Sequence, residues 1–158
     1  MPKYSISLEH LAELSALVGW PIAVGHSGRG VRLILPVIEG SVTGEKLNGR
    51  VCPVGADWAL IRADNCMELD VRALVETEDG AKIHISYTGI IDMTKEQVEQ
   101  MMAGQALTPA PSTFTTPRFE TGHEHYSWLN RIQAVGRGTA EPEEKGLRVC
   151  FSWYVLTV

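Results

Sequence analysis

Past residue 30, turn residues cut the chain at short intervals, which leaves room for many strands and few helices. The runs Val31–Val37, Ser41–Thr43, Gly49–Pro53, Trp58–Ala63, Met67–Glu76 and Lys82–Ile91 read as successive strands. Arg118–Thr121, Tyr126–Gly136 and Leu147–Val158 continue the series. Glu78-Asp79-Gly80 supplies a hairpin with a glycine where positive φ is wanted, and Ala63-Asp64-Asn65 a tighter turn. Strands this closely spaced pair antiparallel, so the spacing predicts an antiparallel barrel or sandwich rather than a parallel α/β sheet.

The run Met67–Glu76 shows the demand each strand makes. Met67, Leu69, Val71, Ala73 and Val75 fall on one face, and Glu68, Asp70, Arg72, Leu74 and Glu76 on the other. The apolar face belongs on a second layer, and the polar face meets water or a polar cavity. Asp70 and Arg72 are neighbours on that polar face; as a surface ion pair they would contribute little.

Two segments have helical spacing. Thr94-Lys95-Glu96-Gln97 has the form of a capping box, Val98, Met101 and Met102 make an apolar face, and Gly104 is a stop, so a short helix is expected over about 94–103. In residues 8–18, Leu8, Leu11, Leu14, Leu17 and Val18 sit at helical spacing, yet Leu14, Ala16 and Val18 also alternate. Helix and strand both fit there. Residues 104–117, rich in Pro, Thr and Ser, read as one long loop, either a binding lid or a plain crossover. No linker divides the chain, so residues 1–158 read as a single barrel domain.

Composition narrows the partners. Lys and Arg total 14 against 19 Asp and Glu, for a net charge of −5 and no basic stripe, so nucleic acid is not an expected partner. No apolar stretch nears the ~20 residues that span a bilayer. The N-terminus also lacks the pattern of a secretory signal, so a cytoplasmic protein without a membrane partner is expected. Cys52, Cys66 and Cys150 cannot all pair and lack metal-ligand spacing; reduced thiols fit that compartment. His123 and His125 have no evident third ligand, and Gly25–Gly30 precedes a strand rather than the helix a phosphate would need. Neither a metal nor another cofactor is expected.

Residues 112–130 carry the densest chemistry. On a strand, Tyr126, Trp128 and Asn130 share one face, and a phenol, an indole and an amide together make a poor core but a good wall for a small ligand. Gly55-Ala56-Asp57-Trp58 is a second stretch of this kind.

Five motifs follow one another: Val54-Gly55-Ala56-Asp57-Trp58, Leu69-Asp70-Val71-Arg72, Glu78-Asp79-Gly80-Ala81, Thr116-Pro117-Arg118-Phe119-Glu120-Thr121 and Tyr126-Ser127-Trp128-Leu129-Asn130. From about residue 20 to 158 the chain thereby resembles the DUF3237 (UPF0311) family of small microbial proteins. The resemblance implies a compact antiparallel β-barrel and no settled activity. It puts the family's pattern on Asp57, Trp58, Arg62, Asp70, Arg72, Arg118, Glu120, Tyr126, Trp128 and Asn130. Two departures stand out. Val54 replaces a usual glycine, and Ala73 stands where a Tyr tends to follow the Asp-x-Arg element, so a pocket there would be enlarged or reshaped.

What these residues permit without a cofactor is acid–base chemistry. A carboxylate in a partly apolar barrel is pushed toward a pKa useful near neutrality, while a nearby arginine keeps it ionised. Asp70 or Glu120 is expected as the base, Tyr126 as the acid, and Arg72 with Asn130 as the pair that polarises a carbonyl. Asp57, Trp58, Arg118 and Trp128 are expected to bind the substrate beside them. The set suits a lyase, dehydratase, isomerase or cyclase acting on a compact carbonyl- or hydroxyl-bearing molecule. A non-catalytic small-molecule-binding barrel, or a module closed by another subunit, fits the same residues. A homodimer is expected because an all-β domain must close or cover its edges.

Overall fold

Side chains that alternate between apolar and polar along successive strands can be satisfied by curling one sheet until its apolar face closes on itself. In the computed structural model, which describes residues 3–158, that is the solution adopted. The strands are β1 (Ser7–Gly19), β2 (Ile22–Ser27), β3 (Gly30–Thr43), β4 (Gly49–Ile61), β5 (Met67–Thr77), β6 (Lys82–Ile91), β7 (Thr113–Glu120), β8 (Ala134–Glu143) and β9 (Gly146–Thr157). From β3 to β9 each strand pairs antiparallel with the next; β9 then pairs with β1, and β1 with the second half of β3. Eight strands thus form the barrel. β2 stands outside the closure, paired only with the first half of β3, and all six of its residues are exposed.

Residues 8–18 resolve as strand. β1 is hydrogen-bonded on both sides, to β9 and to β3, and these ladders override a helical spacing that no helix–helix contact would have rewarded. The expected helix is present as α1, Lys95–Met102. The Thr94 hydroxyl accepts the Gln97 N–H while the Gln97 side chain accepts the Thr94 N–H. α1 lies between β6 and β7, over the barrel end that we call the mouth. The loop after it is shorter than expected, because Thr113–Pro117 already belong to β7.

Residues 126–136 require a correction. The expected strand there is instead a 3₁₀ helix, Glu124–Arg131, and β8 begins only at Ala134. Asn130 causes the fold-back: its carboxamide accepts the Thr121 N–H at 2.8 Å and donates to the Thr121 carbonyl at 2.9 Å. A 3₁₀ helix repeats every three residues, so Tyr126 and Leu129 point inward together and Trp128 and Asn130 do not. This helix covers the end of the barrel opposite the mouth. There Leu129 joins Val42, Leu47 and Ile83, all almost fully buried, in a filled floor, and each such side chain contributes roughly 1.5–3 kcal/mol. Among the described residues, no helix is long and apolar enough to cross a membrane.

Candidate functional site

Toward the mouth the barrel is not filled. The inward faces of the strands line a cavity of about 110 Å³ that opens at the mouth. Its walls are aliphatic and aromatic: Val71 and Val75 of β5, Ile85 and Tyr87 of β6, and Phe151 and Trp153 of β9 are typical. Ala73, the departure from the family's pattern, faces this space directly. Trp20 ties the mouth together. Its indole N–H donates to the Glu144 carbonyl at 3.2 Å, and its ring lies beside Gly104 after α1.

Asp57 on β4 supplies the one charged side chain among the described residues that line the cavity. A bulge sets its position. Between the pairs Val51↔Val75 and Gly55↔Ala73, β4 advances four residues while β5 advances two. Gly55 closes the bulge with φ +93°, and a Cβ there would stand 2.1 Å from the Arg72 carbonyl oxygen, so only glycine fits. Just beyond, the β4–β5 pairing lapses at Trp58 and Ala59. The Asp70 N–H instead donates to Asp57 Oδ1 at 3.0 Å. The Asp57 side chain is thereby held inward among aliphatic neighbours.

Burial pushes the Asp57 carboxyl up from its ordinary 3.8 to about 6. The Asp70 N–H pulls the other way, the Asp70 charge adds to the rise, and Arg32 opposes it. A carboxyl near 6 exchanges its proton readily around neutrality. Tyr87, on the inward face of β6, responds to the same surroundings. Burial raises its phenol, and the Asp57 charge raises it further, so the phenol stays protonated as a hydrogen-bond donor.

The other residues singled out from the sequence lie elsewhere. Asp70 and Arg72 are on the outer face of β5, paired at 3.4 Å and about half exposed, and the Arg72 guanidinium sits 5.5 Å from the Trp58 ring centroid. Trp58 and Asp70 border a shallow outer groove with Arg32 and Phe114. Arg118 and Glu120 are on the outer face of β7, beside Ser86 and His84 of β6, and Asn130 borders the same hollow. Arg62 pairs with Asp64 and Glu68.

Tyr126 belongs to the floor: its hydroxyl donates to Asp79 Oδ1 at 3.1 Å, and the rings of His123 and His125 pack against it. Trp128 is half-buried at the same end. Of the candidate site residues, the structure brings only Asp57 to the cavity. Sequence reasoning passed over Tyr87, although the inward series Ile83, Ile85, Tyr87 signals a phenol on an apolar face. It also passed over Trp153, which the series Val149, Phe151, Trp153 marks in the same way.

The barrel recurs among known proteins. A UPF0311 protein of Rhodopseudomonas palustris is 35% identical over 133 residues, 84% of this chain and 87% of that one. The crystal structure of a β-barrel-like protein from Acinetobacter baumannii superposes with a TM-score of 0.77 at 33% identity, covering 99% of each chain. A structure described as an enzyme from Penicillium herquei shares the fold at 20% identity, with a TM-score of 0.71 over 99% of this chain and 98% of that one. The pattern of the family described as "Protein of unknown function (DUF3237)" matches residues 6–156. A match of that extent, on a barrel its relatives share, means that the chain belongs to the DUF3237 family.

Proposed function

We propose that this barrel is a cofactor-independent acid/base enzyme acting on a small, largely apolar molecule that carries a carbonyl or hydroxyl group. The observation behind the reading is Asp57: a carboxyl with its pKa near 6, inside an apolar cavity that opens at the mouth. In this proposal the proton-transfer role passes from Asp70 and Glu120 to Asp57, and the donor role from Tyr126 to Tyr87. Asp57 takes a proton from a hydroxyl or from carbon beside a carbonyl. Tyr87 donates a hydrogen bond to the oxygen on which negative charge develops. The apolar walls hold the molecule and keep out competing water. Asp57 then returns that proton to another atom of the same molecule, completing an isomerisation or cyclisation, or to a departing hydroxyl, which leaves as water in an elimination.

The test is a screen of cyclic and aromatic hydroxy- and oxo-metabolites with the purified protein, without added cofactor, read by mass and chiral chromatography. The reading expects a compound turned over by the wild type and not by Asp57→Asn, which still binds it. A compound transformed equally well by Asp57→Asn would overturn the catalytic assignment. Saturable binding in the cavity with no turnover of any bound compound would favour a carrier barrel.

A further inference from the structure

Asp57 also governs which ligands can enter, a consequence that rests on the cavity being the ligand site as proposed above. Among the described residues, no lysine, arginine or histidine lines the cavity. The cations nearest in the fold do not reach in. Arg32 directs its guanidinium to the Trp58 carbonyl at 2.7 Å, and Arg72 is on the outer face with Asp70. Asp70 adds a second negative charge on the other side of the same wall, and Tyr87 is neutral. A ligand carboxylate or phosphate would therefore have to give up its water in an apolar chamber, with no cation to receive it and a carboxylate of like charge already there. A hydroxyl group faces no such penalty, because it can donate to the Asp57 oxygens directly.

We infer that the cavity selects uncharged, hydroxyl-bearing ligands and rejects carboxylates, phosphate esters and other anions through the charge of Asp57. The lining residues toward the mouth, Trp20, Met101, Gln105 and Leu107 among them, are uncharged. An acid or phosphate ester would thus have to lose or mask its charge before it became a ligand. The reactions that supply this protein must then deliver free hydroxy or oxo compounds rather than activated or ionised ones.

Two probes of the same shape test this: 2-naphthol, uncharged at pH 7.5, and 2-naphthoate, an anion at that pH. Affinities are measured by calorimetry, with chemical-shift changes at Tyr87 and Trp153 confirming that the probe sits in the cavity. The wild type is expected to bind 2-naphthol at least tenfold tighter, and Asp57→Asn to shrink that preference at least fivefold by admitting 2-naphthoate. Equal wild-type affinities would overturn charge selection and leave the proposed enzyme standing. A preference unchanged in Asp57→Asn would also overturn it, by assigning the selection to the walls. If neither probe perturbs Tyr87 or Trp153, the cavity is not a ligand site, and both readings fall.

Discussion

Asp57 and Asp70 are the same residue type on neighbouring strands, joined by one hydrogen bond, and they have opposite surroundings. Asp57 points into the barrel, is 8% exposed, and has its carboxyl raised to about 6. The Asp70 side chain points outward, is 47% exposed, and faces the Arg72 guanidinium. The contact between them runs from backbone to side chain: the Asp70 N–H donates to the Asp57 carboxylate. The side of a closed sheet on which a carboxylate lies therefore sets its chemistry more strongly than its residue type or its neighbours in sequence. Water screens and solvates the outer one, while the inner one has a single backbone donor and hydrocarbon.

The sharpest way to break this comparison is to neutralise each aspartate in turn. Asp57→Asn is expected to lower turnover of an identified substrate by about 10²–10⁴-fold, the usual worth of a positioned proton-transfer group. Asp70→Asn should stay within about twofold, since the N–H that orients Asp57 remains. Steady-state rates on both variants decide it, and comparable losses would return Asp70 to the site.

Stability against pH gives the next largest effect. The folded-state pKa of Asp57 lies above its unfolded value, so the folded chain binds more protons between pH 4 and 6. That contribution to stability is fully present below pH 4 and is lost as pH rises through 6. A shift from 3.8 to about 6 corresponds to about 3 kcal/mol. Urea midpoints should show the wild type losing about that much relative to Asp57→Asn between pH 4 and 7. Parallel curves for the two proteins would mean that Asp57 is not desolvated.

Added bulk separates the inner wall from the outside in the same way. A Cβ on Gly136 would stand 2.5 Å from Thr115 Oγ1 and 2.7 Å from Trp153 Cδ1. Gly136→Ala should therefore cost about 1–3 kcal/mol in thermal or chemical unfolding. At Gly122, past the end of β7, a Cβ would meet nothing within 4 Å. Gly122→Ala should stay within about 0.5 kcal/mol. A tolerated Gly136→Ala would indicate that the wall yields. The smallest effect belongs to Arg72→Ala, which removes the outer ion pair and the contact with Trp58; a loss under about 1 kcal/mol is expected in the same assay.

How much of this could be read in advance follows from the range of the interactions. The hairpin at Glu78-Asp79-Gly80 and the capping box of α1 were legible, because each is satisfied within a few residues. The runs Met67–Glu76 and Lys82–Ile91 were legible for the same reason, whereas β2 was passed over. The runs read as separate strands at Val31–Val37 with Ser41–Thr43, and at Gly49–Pro53 with Trp58–Ala63, are each one strand carrying a bulge, β3 and β4. Residues 126–130 were not: their inward period of three depends on Asn130 reaching back to Thr121, a contact that alternation does not encode. For Met67–Glu76 the two faces were legible, but whether the polar one met water or a cavity was not. Closure decided for water, and so removed Asp70 and Arg72 from the interior.

By itself, then, the sequence determined an antiparallel all-β chain with one capped helix, because local periodicity and turn chemistry act within each segment. It marked Asp57 among the candidates through the Gly55-Ala56-Asp57-Trp58 stretch and the family resemblance. Only the tertiary structure decided which face of each strand lies inside, that the floor is packed and the mouth is not, and that Tyr87 and Trp153 share a chamber with Asp57. Those outcomes depend on the register of eight strands closing on one another, and no single strand contains that information.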